Sequence, residues 1–210
     1  MAISEKLLRK ELIYAASALY ERGMNSELSG NVSARLGNGR MLLTPASSAG
    51  ILKGALTPNQ LSIVAFNGEL KSGPENSSEW RVHASIYASM PDVKAIVHSH
   101  PKYSLLFTMK HGVGMFNEMI PEACIRLGEA KYYLGYANEP ERVGFASGKS
   151  GSQDLADSIL AEIINKKVSI VVIEGHGTVA IGRSIAEALG RAEELERYAE
   201  LSYKLLEGSG

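Results

Sequence analysis

Residues 77–101 read SSEWRVHASIYASMPDVKAIVHSHP, and the rest of the chain is interpreted from this stretch. Its first half has apolar residues at helical spacing and ends at a Met-Pro pair. The run from Val93 to His98 is then typical of a buried β-strand. Side chains two residues apart on a strand point to the same face, so the imidazoles of His98 and His100 can converge on one metal ion. Glu79 adds a carboxylate at the start of the predicted helix.

The composition favours one compact domain that spans residues 1–210. Apolar residues make up 45% of the chain, enough for a substantial core, and the net charge of -1 favours neither nucleic acid nor a membrane surface as partner. Cys124 is the single cysteine, which excludes an intrachain disulfide and suits a reducing compartment. The N-terminal sequence is amphipathic, and no apolar run approaches ~18 residues. We therefore expect a cytoplasmic protein without a membrane anchor.

Hydrophobic periodicity predicts the elements outside the central stretch. Two early hairpins are expected to turn at 37–39 and at Asn67-Gly68, a pair typical of a type I′ turn. We expect helices near 4–23, 78–90, 102–110, 153–165 and 184–206, the last with a capping box from Ser184 to Glu187, and further strands near 93–98, 115–120, 131–134, 168–173 and 179–181.

A third histidine, His176, also interrupts a strongly apolar strand. Its neighbours Gly175 and Gly177 let the backbone bend there or approach another group closely. The His-Ser-His motif is weak evidence by itself, because one of its histidines could be merely hydrogen-bonded and the other exposed. Three histidines at strand ends, however, match the ligand set of a catalytic zinc, which keeps a coordination position open. We predict that His98, His100 and His176 bind Zn²⁺, with Mn²⁺ or Co²⁺ as other candidates.

Glu79 has two interpretations. A carboxylate in the first turn of a helix is favoured by the helix dipole, and this alone would explain it. A carboxylate beside a divalent cation can also release the metal when substrate binds and then act as a general base. The direction of the helix start decides between the two. His83, one helical turn later, is expected to be a satisfied core or surface histidine.

Three short segments together suggest a pocket for an anion. Ser77 and Ser78 precede the predicted helix, where free N–H groups bind phosphate, although serines there usually act as caps. The segment 44–50 is rich in small and hydroxyl side chains, the pair Gly30-Asn31 is the third candidate, and each alone would be an ordinary turn. The Gly-Lys-Ser triplet at 148–150 lacks the spacing of a P-loop, so we expect a loop before a helix.

Five segments resemble the class II aldolase/adducin family: SGNVSAR, TPASSAG, SSEWRVH, AIVHSHP and EGHGTVAIG, in this order. The resemblance extends over roughly residues 5–205. It implies a three-layer α/β/α fold with a central, mostly antiparallel sheet, commonly assembled as a homotetramer with active sites at subunit interfaces. It also implies His98, His100 and His176 as zinc ligands and Glu79 as the catalytic acid/base.

The same resemblance places substrate phosphate at Asn31, Ser77 and Ser78. The turn with Ser47 lies beside them, although similar aldolases have glycine at that position. No proton donor can be matched in the segment between His100 and His176. Candidates in this region are Glu118, Glu122, Tyr132 and Tyr133. Glu122 is our choice for a second acid/base, and a surface or packing role is the alternative for each of them.

The implied activity is a zinc-dependent cleavage or formation of a carbon–carbon bond in a small sugar phosphate, as in the family's fuculose-phosphate aldolases. The metal would stabilise an enediolate, and Glu79 would move the proton. Epimerisation, dehydration or decarboxylation at the same metal site is the alternative. A non-catalytic, adducin-like binding protein is a further one, which the complete set of three histidines and Glu79 disfavours.

Overall fold

The computed structural model describes residues 4–112, 115 and 143–208. The described helices surround one eight-stranded sheet. The strands are β1 Asn31–Leu36, β2 Arg40–Leu43, β3 Ser62–Ala65, β4 Leu70–Ser72, β5 Ala95–Ser99, β6 Gly144–Ala146, β7 Ile170–Ile173 and β8 Gly177–Gly182. The α-helices are α1 Glu5–Glu21, α2 Trp80–Ser89, α3 at 102–112, α4 Gln153–Lys166 and α5 Ile185–Glu207.

The strand order is β4-β3-β2-β1-β5-β8-β7-β6. Every neighbouring pair is antiparallel except β6 with β7. This confirms the prediction of a central, mostly antiparallel sheet. The helices predicted near 102–110 and 153–165 are also present, whereas the strands predicted near 115–120 and 131–134 lie outside the described residues.

The second hairpin differs from the prediction. Ala65 and Glu69 pair through their backbones, which leaves a three-residue loop. Gly68 has a positive φ of 89°, but Asn67 is absent from the residues with positive φ, so the turn is not type I′. A three-residue loop instead takes a type I turn followed by one left-handed residue, and Gly68 fills that position.

Alternate residues of the strands point into two different cores. In β5, Ala95 and Val97 join the apolar cluster under α1 and α5, while Ile96 joins the cluster under α2 and α4. Each face of the sheet is therefore covered by helices, and the predicted three-layer α/β/α arrangement is confirmed. None of the described helices combines the length and apolar character needed to cross a lipid bilayer.

The hydrogen bonds at the starts of α2 and α5 differ from the capping expected from the sequence. Glu79 is the N-cap residue of α2, but its side chain makes no capping hydrogen bond. At α5, the Ser184 hydroxyl accepts from the N–H of Glu187 as predicted, at 3.1 Å. The Glu187 carboxylate, however, accepts from the N–H of Arg183 at 2.6 Å, one residue before the position of a capping box.

Two glycines shape the entry to β8. Gly175 has a φ of 64°, in the left-handed region that favours glycine. At Gly177, a Cβ atom would lie 2.4 Å from the carbonyl oxygen of Ser99 and 2.7 Å from Cδ2 of His100. The predicted bend and close approach are therefore both present, and they bring His176 against the end of β5.

We expect Gly177→Ala to lower the free energy of unfolding by roughly 1–3 kcal/mol, because the added methyl group meets backbone that cannot move away. Urea denaturation measures the difference. Gly190→Ala in α5 is the matched control, since a Cβ there meets no atom within 4 Å. The control should raise the stability by up to about 1 kcal/mol. Equal stability of Gly177→Ala and the wild type would contradict the close approach.

Candidate metal centre

The three predicted histidines lie together at one end of the central strands. His98 belongs to β5, His100 follows it directly, and His176 precedes β8. The Nε2 atoms of His98 and His100 are 3.0 Å apart, and one ring nitrogen from each histidine lies within 4.8 Å of the others. The described residues thus contain a candidate three-histidine metal site.

The chemistry of these imidazoles suits a divalent metal. Nδ1 of His98 lies 2.9 Å from the carbonyl oxygen of Thr178, which can only accept, so Nδ1 carries a proton and Nε2 is the ring nitrogen that faces the cluster. Burial, reinforced by the neighbouring histidines, lowers the pKa of His100 to about 3. Burial likewise lowers the pKa of His176. Neutral imidazoles are the form that coordinates Zn²⁺ and similar ions, so this donor set fits such a metal.

Glu79 faces the histidines. Its Oε2 lies 2.9 Å from Nε2 of His98, and its Oε1 lies 3.6 Å from Nε2 of His176. Asn31 donates from Nδ2 to Oε2 at 3.0 Å, and the hydroxyl of Ser150 donates to Oε1 at 3.0 Å. The carboxylate is therefore directed into the histidine cluster and away from the N–H groups of its own helix.

The electrostatic environment keeps Glu79 ionised. Burial acts to raise the pKa of Glu79, but His98, His176 and Ser150 together outweigh burial and hold this pKa below its usual range. A divalent cation held by the histidines would act in the same direction, because positive charge favours the carboxylate. Glu79 is thus a proton acceptor at neutral pH.

A buried chain of hydrogen bonds runs from Asn31 into the core. Oδ1 of Asn31 contacts Nε2 of His83, and Nδ1 of His83 lies 2.7 Å from the hydroxyl of Ser33. That hydroxyl also lies 2.7 Å from the hydroxyl of Tyr87. Burial lowers the pKa of His83 to about 3, so the ring is neutral. His83 is therefore the satisfied core histidine that the sequence predicts.

The donor and the acceptor of each hydrogen bond in this chain can be assigned by starting from the Glu79 carboxylate, which only accepts. The Nδ2 of Asn31 donates to the carboxylate, so its Oδ1 accepts from Nε2–H of His83. Nδ1 of His83 must then accept from Ser33, whose oxygen accepts from Tyr87. Asn31, His83 and Ser33 each donate once and accept once along this chain, Tyr87 donates at its end, and the arrangement fixes the side chain of Asn31 beside Glu79.

The predicted anion-binding residues fall into two groups. Asn31 and Ser77 are buried beside Glu79, and the Ser77 hydroxyl accepts from Nδ2 of Asn31 at 3.2 Å and from the N–H of Glu79 at 3.3 Å. Ser78 and Ser47 are exposed. The Ser47 hydroxyl donates to the carbonyl oxygen of Leu28 at 2.5 Å.

Two features of the site escaped the sequence analysis, and one candidate is not described. Ser150 belongs to the Gly-Lys-Ser triplet that we interpreted as a plain loop, and nothing in its local pattern indicates a contact with Glu79. Thr178 holds His98 through a backbone carbonyl, which no residue type can signal. Glu122, the predicted second acid/base, lies outside the described residues.

We expect Ser33→Ala to destabilise the fold more than Tyr87→Phe. The first change leaves both the Tyr87 hydroxyl and Nδ1 of His83 without their partner, at a cost of roughly 1–3 kcal/mol for each buried group. The second leaves Ser33 still donating to His83. Chemical denaturation of both variants measures the order. The reverse order would show that Ser33 is not the central member of the chain.

Comparison with known proteins places this geometry in a family. Residues 10–203 match the family described as Class II Aldolase and Adducin N-terminal domain. The chain is 31% identical over 204 residues to the 3-oxo-tetronate 4-phosphate decarboxylase of Escherichia coli (strain K12), covering 96% of this chain and 88% of that protein. It is 31% identical over 201 residues to the 5-methylthioribulose-1-phosphate/5-deoxyribulose-1-phosphate aldolase of Rhodospirillum rubrum, covering 95% and 82%.

The structural comparison agrees. The crystal structure of YgbL from Klebsiella pneumoniae superposes with a TM-score of 0.77 at 29% identity, covering 97% of this chain and 92% of that one. The resemblance drawn from the five sequence segments is thus confirmed along nearly the whole chain: it belongs to the class II aldolase/adducin family.

Proposed function

We propose that this protein is a metal-dependent lyase that breaks or forms a carbon–carbon bond beside a carbonyl group in a small phosphorylated sugar. The observation that carries the proposal is the Glu79 carboxylate, which lies against the imidazole nitrogens of His98 and His176 with both of its oxygens engaged. Aldol cleavage is the reaction we infer first. Decarboxylation of a phosphorylated oxo acid is the second candidate, favoured by the similarity to the 3-oxo-tetronate 4-phosphate decarboxylase of Escherichia coli.

His98, His100 and His176 would hold the metal, which we propose to be Zn²⁺. Bound there, the ion would withdraw electron density from the substrate carbonyl and stabilise the negative charge that develops on its oxygen when the bond breaks. The histidines contribute by presenting one ring nitrogen each to a common point. A lysine Schiff base is not needed for this chemistry.

Glu79 is the residue that we propose moves the proton. In the bond-forming direction, the ionised carboxylate takes a proton from the carbon beside the carbonyl, and in the cleavage direction it returns that proton. Asn31 and Ser150 hold the two carboxylate oxygens in place, so little reorganisation is needed before the transfer. The buried chain behind Asn31 supports this orientation.

The two candidate reactions differ in the number of proton-transfer groups they need. Aldol cleavage must also remove a proton from the hydroxyl group of the departing aldehyde, so it needs a second base, for which Glu122 is our proposal. Decarboxylation of an ionised carboxylate releases CO₂ without removing a proton, and the enediolate that remains takes up one proton, which water supplies and Glu79 can relay, so no second base is needed. The central histidines and Glu79 serve both reactions equally.

Three expectations stay predictions. The homotetramer with active sites at subunit interfaces, the cytoplasmic location and the identity of the metal all rest on the resemblance and the composition. The substrate class is supported by the names of the relatives, each of which acts on a phosphorylated compound.

Purified protein should contain about one divalent metal ion per chain, and His98→Ala should contain almost none, because only three protein side chains hold the metal and the variant lacks one of them. Elemental analysis by mass spectrometry gives the ratio. His111→Gln is the control, since His111 is a histidine of α3 outside the ligand cluster. A His98→Ala protein with unchanged metal content would remove the three-histidine site from the proposal.

A panel of phosphorylated ketoses, aldoses and oxo acids, assayed with added Zn²⁺, separates aldol cleavage from decarboxylation, epimerisation and dehydration. We expect one substrate to be cleaved, and Glu79→Gln to reduce kcat on it by about 10²–10⁴-fold while metal content is retained. Glu69→Gln, an exposed change on the β3–β4 hairpin, is the control. Full activity in Glu79→Gln would exclude Glu79 as the proton-transfer group, and no turnover by the metal-loaded wild type on any substrate would favour a binding protein.

A further inference from the structure

Lys53 is buried near the candidate anion pocket. It lies in a short 3₁₀ turn, Lys53–Ala55, and only 4% of its surface is exposed. Lysine is almost never fully buried unless its charge has a partner. The sequence gives no sign of this burial, because the flanking residues form an ordinary loop pattern.

The ammonium of Lys53 has an incomplete set of partners. Its Nζ donates to the carbonyl oxygen of Leu28, whereas an ammonium has three donors. Within the described part of the chain, no carboxylate lies within ion-pair distance of Nζ. A buried charge without a counter-ion destabilises a fold, so the buried ammonium of Lys53 is expected to have a functional role that offsets this cost.

The ammonium of Lys53 lies near both the turn that carries Ser47 and the cluster of Glu79 and His100. The carbonyl oxygen of Leu28 that accepts from Lys53 also accepts from the hydroxyl of Ser47, so Nζ and this hydroxyl share one acceptor. Burial lowers the pKa of Lys53 to about 8, and the negative charge of Glu79 acts in the opposite direction. The charge of Lys53 also contributes to the lowered pKa of His100. The ammonium is thus within electrostatic range of the catalytic carboxylate and of one proposed metal ligand.

We propose that Lys53 binds the phosphate group of the substrate, with the hydroxyl of Ser47 as its neighbour in the same subsite, an inference that rests on the proposed function. A phosphate supplies both the missing negative charge and acceptors for the free N–H donors of the ammonium. The hydroxyl of Ser47 would turn from the carbonyl oxygen of Leu28 to donate to the phosphate, where similar aldolases offer a glycine backbone. The protein would then bind substrates that end in a phosphate group more tightly than the same substrates without the phosphate.

Calorimetric titration of the metal-loaded protein with inorganic phosphate tests this subsite. We expect Lys53→Met to weaken phosphate binding by about 10- to 100-fold, the loss typical of a charge-assisted hydrogen bond. Lys6→Met, at an exposed position of α1, should bind phosphate like the wild type. Lys53→Gln, which keeps a polar group without the charge, gives a second measurement of the same loss if the methionine variant is poorly folded.

The outcomes separate this inference from the proposed function. Unchanged phosphate affinity in both Lys53 variants would overturn the subsite, because phosphate would then bind at the metal or elsewhere. The proposed lyase activity would still be open to test with the substrate panel. Weakened binding in the Lys53 variants alone supports the subsite, even if no substrate of the panel is turned over. Absence of phosphate binding by the wild type would also overturn it.

Discussion

The alignment of β1, β5 and β8 is the constraint on which the site depends. The antiparallel register places Asn31 opposite His98 and places Ser99 opposite Thr178. This register puts the amide of Asn31, the imidazole of His98 and the carbonyl of Thr178 at the same end of neighbouring strands. A shift of one residue in either pair would turn His98 to the opposite face of the sheet. Gly177 holds the third strand close enough for His176 to join them.

A second constraint is electrostatic. A buried carboxylate is unfavourable unless polar groups and positive charge surround it. Glu79 meets this condition through the histidines on one side and the oriented chain behind Asn31 on the other. The chain ends at the Tyr87 hydroxyl, inside the core, so the orientation of Asn31 is fixed from within the fold. Positioning and burial are therefore achieved by the same hydrogen bonds.

The parts of this structure that sequence could predict are those encoded over short distances. The shared face of His98 and His100 could be predicted from the two-residue period of a strand. The bend at His176 could be predicted from the backbone freedom of the glycines beside it. The partners of Glu79 could not be predicted in the same way, because Ser150 lies 71 residues away in sequence and is brought in only by the tertiary fold. The burial of Lys53 has the same origin. The type I′ turn was mispredicted because the Asn67-Gly68 pair does not determine loop length.

The two faces of the sheet divide stability from chemistry. Toward α1 and α5, β1 presents Val32 and Ala34, which pack in the larger apolar cluster. Toward α2, the same strand presents Asn31 and Ser33, both engaged in the buried polar chain. Each buried polar group needs its own partner and contributes little net stability, whereas apolar burial on the other face contributes directly. The alternation of side chains along one strand thus places a charged, hydrogen-bonded site on one face of the sheet and a continuous apolar core on the other, so substitutions in the site need not disturb the core that supports it.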